Sequence, residues 1–164
     1  MPDSLEISIS DKDKQQAKKE HLDLLEYLTF QECALYYTDG SQGTFQGQRT
    51  NSCSFFEIQE DRLISTNYWN LGPCIEVADT ELIAVAKALD YIDAKLNTPP
   101  LAYIFIDSQA AIIKMKGYTE IAANIRQKIH NLANRGAKIY IHWRPSHVGI
   151  YGNEVADKLA KTGL

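Results

Sequence analysis

The chain has 164 residues, 45% of them hydrophobic and 23% charged, the makeup of a globule with one core, large enough to bury roughly two thirds of its unfolded surface. Its formal charge of -4 hides an asymmetry, because residues 1–110 hold 8 Lys/Arg against 18 Asp/Glu while residues 111–164 hold 9 against 3. No run approaches the roughly 18 apolar residues that span a bilayer, no basic-then-apolar signal opens the chain, and three scattered cysteines suggest neither disulfides nor zinc, so an intracellular, non-membrane protein is expected.

Residues 1–30 read as a helical leader or linker: a polar start, then a mixed-charge segment carrying Leu22, Leu25 and Leu28 at helical spacing. Either that stripe docks on the rest of the chain, or the segment is a connection cut from a longer polypeptide. The domain proper, 31–164, opens with a strand over about 34–39 and a polar, Gly-containing loop at 41–48. Two further β segments, 50–59 and 61–69, are separated by Gln59-Glu60-Asp61 and complete an antiparallel meander. A helix from about 79 to 96 follows. It sets Leu82, Val85, Ala86, Leu89 and Ile92 on one face, with Asp79 or Thr80 as N-cap and Pro99-Pro100 as its stop. Leu101 to Ile106 is nearly all apolar, as in a strand buried on both faces. Helices at 108–114 and 120–134, a strand at 137–143, a loop at 144–152 and a helix at 153–162 finish the chain. A meander followed by alternating strands and helices predicts a mixed sheet covered by helices.

Four acids stand out on these elements. Asp39 ends the first strand, Glu81 opens the first domain helix, Asp107 follows strand 101–106, and Asp157 lies one turn into the last helix, with His147 ten positions ahead. Each alone has an ordinary explanation. An Asp after a strand forms turns, a Glu at a helix start favours the dipole, and Asp157 is spaced to pair with Lys161. Together they say more. A helical crossover separates the strands ending in Asp39 and Asp107, so the two strands can be parallel neighbours with both carboxylates at one point. Four converging acids would repel one another unless cations lay among them, which points to phosphoryl transfer on nucleic acid. The basic C-terminal third fits a polyanionic substrate.

The blocks TDGS, ADTELIAVAKAL, IDSQAAI and WRPSHVGIYGNEVADKLAK, in this order and spacing, resemble the type 1 ribonuclease H family over roughly 33–162. The segment LGPCIEVADTEL, with the leader ahead of the domain, resembles the ribonuclease H domain of reverse transcriptases from non-LTR, fungal-type retrotransposons. The resemblance implies an α/β ribonuclease H-like fold: a five-stranded mixed sheet, three antiparallel strands then two parallel ones, with helices on both faces. It implies that Asp39, Glu81, Asp107 and Asp157 are catalytic metal ligands and His147 a mobile catalytic histidine. Gly40, Ser41 and Gln109 fall where relatives touch substrate sugar and phosphate. Two departures are visible. The second strand lacks the glycines usual in relatives, and Met115 to Thr119 is too short for the basic handle that some bacterial relatives insert between the middle helices.

The activity implied is hydrolysis of the RNA strand of an RNA/DNA hybrid, leaving 3′-hydroxyl and 5′-phosphate ends. Two Mg²⁺ ions roughly 3.5 to 4 Å apart would serve it, with Mn²⁺ as the alternative ion. Asp39 and Asp107 are expected on the activating metal, with Glu81 accepting from a ribose 2′-hydroxyl. The expected partners are the hybrid and the reverse transcriptase region of the same polyprotein, and the competing expectation is a catalytically silent binding module on the same fold.

Overall fold

The computed structural model describes residues 5–8, 14–28, 32–60, 62–95 and 101–145. The helix expected at 153–162 lies outside the described residues. In chain order the elements are β1 (Leu5–Ser8), α1 (Lys14–Leu28), β2 (Ala34–Phe45), β3 (Gln48–Gln59), β4 (Arg62–Gly72), α2 (Val77–Ala94), β5 (Leu101–Ile106), α3 (Gln109–Met115), α4 (Glu120–Asn134) and β6 (Lys138–Trp143).

The strands form one sheet in the order β1-β6-β5-β2-β3-β4. The meander β2-β3-β4 is antiparallel, while β2 with β5 and β5 with β6 are parallel. This is the expected five-stranded mixed sheet. The leader adds an unexpected sixth strand: β1 runs parallel to β6, Leu5 opposite Ile139 and Ser8 opposite His142.

Local chemistry explains where the elements differ from expectation. The segment 41–48 is not a loop. Strand β2 continues to Phe45, and only Gln46 and Gly47 turn, with φ of 51° and 78°. Left-handed geometry at both central residues makes a two-residue hairpin whose twist matches its strands. The polar run 41–45 is strand because it pairs with the equally polar start of β3. Helix α2 begins at Val77, so Glu76 takes the cap position and Asp79 and Thr80 fall in the first turn. There the Thr80 hydroxyl donates to the Glu76 carbonyl at 3.1 Å instead of capping. Ser108 and Thr119 cap α3 and α4, accepting from the Ala111 and Ala122 amides. Lys116 to Thr119 joins α3 directly to α4, so no inserted handle separates them.

Alternation along the strands divides the core. One face sets Tyr36, Phe55, Ile104, Ile106, Ile139 and Ile141 against α2, α3 and α4. The other carries Tyr37, Phe56 and Phe105, with Leu24 of α1 packed against them. Helices therefore lie on both faces. The leader helix docks, through only part of its leucine stripe: Leu28 is buried and Leu25 half-buried. Ala17, His21 and Leu28 are buried, whereas Leu22 is 52% exposed.

On the α2 face, the fully buried Glu57 accepts from the Tyr36 and Tyr91 hydroxyls, the Gln59 amide and the Lys95 ammonium. Burial raises its pKa, but the Tyr36, Lys95 and Gln59 donors outweigh that and hold the carboxyl below its usual range. Cys33, Cys53 and Cys74 are free.

Candidate active site

The sheet topology brings the first three acids together. Thr38 on β2 lies opposite Ile106 on β5 in parallel register, so Asp39, inside β2 just past its last pairing with β5, sits beside Asp107, which follows the end of β5. Thr38 adds a cross-strand hydrogen bond, its hydroxyl donating to the Phe105 carbonyl. Helix α2 then delivers Glu81 from its second turn. The carboxylate oxygens of Asp39, Glu81 and Asp107 include one from each that all lie within 4.8 Å of one another. Asp39 and Glu81 are buried, at 4% and 5% exposure, and Asp107 is half-buried.

Gly40 is why Glu81 can reach this point. Its amide donates to Glu81 Oε2 at 3.0 Å and to Asp39 Oδ1 at 2.9 Å, bracing two of the acids from one backbone group. A Cβ at Gly40 would stand 2.7 Å from Thr80 Cγ2 and 2.9 Å from the Glu81 amide nitrogen. Only a residue with no side chain lets β2 and α2 approach this closely. The start of α2 is held from the other side as well: Lys114 of α3 pairs with Asp79 at 2.6 Å, and that hydrogen bond raises the lysine pKa. Cys53, opposite Gly40 on β3, has its thiol pushed up to about 12 by burial, so it stands near Glu81 as a neutral group.

Asp107 is fixed from β6. The indole Nε1 of Trp143 donates to the Asp107 carbonyl at 3.1 Å, and the Arg144 amide donates to the Ile106 carbonyl at 2.8 Å. The peptide groups on both sides of the Asp107 Cα are thus tied to the end of β6. Sequence reasoning treated Trp143 only as part of a motif. Its role depends on β5 and β6 being neighbours, which a residue list does not reveal.

The remaining expected residues fall as follows. Ser41 is half-buried on β2, opposite Ser52, and Gln109 is exposed as the first residue of α3. His147 and Asp157 lie outside the described residues.

Chemically, three carboxylates within hydrogen-bonding range of a common point, two of them buried, carry more negative charge than such a site holds by itself. Their donors are hard oxygens, the set that suits a small divalent cation. The residues present therefore fit a metal site.

A search among solved structures agrees on the fold. A foamy viral protease-reverse transcriptase, solved in complex with dsDNA, matches with a TM-score of 0.63 and 20% identity over 81% of this chain and 94% of that one. RNase H1 from the halophilic archaeon Halobacterium salinarum NRC-1 matches with a TM-score of 0.57 and 17% identity, over 80% of this chain and 96% of that one. At sequence level the RNase H family model matches residues 31–164, which include all the acids considered above, and the chain belongs to the RNase H family.

Proposed function

We propose that this chain is a type 1 ribonuclease H, a metal-dependent endonuclease that hydrolyses the RNA strand of RNA/DNA hybrids and leaves 3′-hydroxyl and 5′-phosphate ends. The observation that carries this reading is the convergence of Asp39, Glu81 and Asp107 on one point. Two Mg²⁺ ions bound there would supply an activated water and neutralise charge on the leaving oxygen. Asp39 and Asp107 are the ligands of the activating ion, and Glu81 and Asp157 complete the shells. Glu81 also accepts from a ribose 2′-hydroxyl, and that contact selects RNA over DNA on the cut strand. Gly40, Ser41 and Gln109 contact sugar and phosphate, and His147 carries protons on the leaving side. Residues 31–164 form the catalytic domain behind the leader at 1–30.

The setting we infer is reverse transcription of a retroelement, with the polymerase region of the same polyprotein as partner. Likeness of fold to the foamy viral protein and the segment 71–82 support it. Among the described residues no helix is long and apolar enough to cross a membrane.

A labelled RNA/DNA hybrid incubated with the protein and Mg²⁺, beside double-stranded RNA and DNA controls, tests the activity. Cleavage confined to the RNA strand of the hybrid is expected, abolished by Asp39→Asn. Hybrid binding without cleavage would instead identify a silent module.

A further inference from the structure

We propose that Arg144 is a positioning residue of the carboxylate site and that the leader helix α1 holds it in place through His21. The inference deepens the metal-site reading given above and rests on it.

Arg144 follows the last residue of β6 and is only 7% exposed. A guanidinium removed from water needs acceptors in fixed places. Its Nε donates to His21 Nδ1 at 2.9 Å, its Nη1 to the Trp143 carbonyl at 2.7 Å, and its Nη2 to His142 Nδ1 at 3.1 Å. The cation also lies over the Phe105 ring, 5.3 Å from its centroid. Because arginine has no acceptor, both histidines must offer a bare Nδ1. The neutral His21 ring then carries its proton on Nε2 and donates it to the Tyr37 hydroxyl at 2.8 Å. Burial and the arginine charge keep both rings neutral, lowering His21 to about 3 and His142 to about 4.

The bonds described above give this cluster its reach. The backbone of Arg144 holds Ile106, and the indole beside it holds the Asp107 carbonyl. A contact made by residue 21 therefore passes through residues 143 and 144 to the backbone that aims the Asp107 carboxylate. Both parts of the leader meet the same end of β6, since Ser8 of β1 lies opposite His142. The leader precedes the family match, which starts at residue 31. It nonetheless acts as part of the catalytic unit.

The chain has two tryptophans, Trp69 and Trp143, so its two indole N–H signals resolve in a two-dimensional NMR spectrum. Titrating the full chain with Mg²⁺ alone gives a metal-binding midpoint with no need for turnover. We expect His21→Leu to move the Trp143 signal, leave that of Trp69, and raise the midpoint by roughly 10-fold, the lower end of what outer partners of metal ligands contribute. Arg144→Leu, which removes the buried charge and so keeps a foldable core, should do the same, and the double variant should be no worse than either single one. His21→Asn, whose amide oxygen accepts from the guanidinium, should restore the wild-type midpoint. An unchanged Trp143 signal and midpoint in folded Arg144→Leu, or effects that add in the double variant, would overturn the proposal. Normal metal binding without hybrid cleavage would count against the proposed activity alone.

Discussion

At the scale of single residues, Gly40 makes the sharpest demand. Its missing side chain sets how closely β2 and α2 approach, and its amide serves two acids at once. Gly40→Ala meets helix backbone, which cannot swing aside, so α2 must retreat and carry Glu81 with it. We expect a drop in hybrid turnover on the order of 100-fold, as for other displacements near 1 Å, with a stability loss of about 1–3 kcal/mol. Steady-state kinetics and a urea melt measure the two effects separately. Asp39→Asn should act in the opposite sense on the metal-free protein. Removing one charge from three crowded carboxylates relieves repulsion, so its melting temperature without metal should rise above wild type. Added Mg²⁺ should stabilise the wild type and leave the variant nearly unmoved, because only a state that binds the ion gains from it. Glu81 and Asp107 were legible in sequence because they sit near predictable element ends, whereas Asp39 was expected at the end of a strand that in fact runs on to Phe45. Arg144 was not legible: its partner lies 123 positions away, and nothing in the local pattern marks an arginine at a strand end as buried.

Among the elements, α1 shows how sequence pattern can miss part of a docking face. Leucines at 22, 25 and 28 draw attention because they are large and apolar, yet the face that docks includes Ala17, His21, Leu24 and Leu28. A small residue and a neutral histidine bury well once a guanidinium and a tyrosine hydroxyl satisfy the ring, and hydrophobicity does not register either. The strand-rich half was misjudged for a related reason. Residues 41–45 look like loop because they are polar, while their hydrogen-bonding partners are equally polar and lie on the next strand. Docking of α1 should respond to acid. His21 has a folded pKa near 3 against an ordinary 6.5, so between these values the unfolded chain binds more protons than the folded one. The stability contribution is complete above pH 6.5 and falls as the pH drops, by on the order of 2 kcal/mol at pH 5. Facing the ring are Tyr37 and Phe105 from the sheet and Arg144 and His142 from the β6 end, with His142, near 4, pulling in the same direction. Hydrogen exchange of the α1 amides at pH 7.5 and pH 5 measures this. Faster exchange at the lower pH, beyond the intrinsic change and absent in His21→Asn, is expected.

Across the whole molecule, the pairing of a helical crossover with two apolar strands was enough to predict parallel neighbours, and from that the meeting of Asp39 with Asp107. The four-residue strand β1 gave no such signal, since so short a segment declares itself only through the strand it joins. That strand has a consequence for how the protein behaves in solution. A chain trimmed to the span of the family match would leave one rim of β6 with open amide and carbonyl groups along its length, a template for another molecule to zip onto. Light scattering on a 31–164 fragment should therefore show self-association growing with concentration where the 1–164 chain stays dispersed, and a shortened protein prepared for crystals or screening would be the stickier of the two.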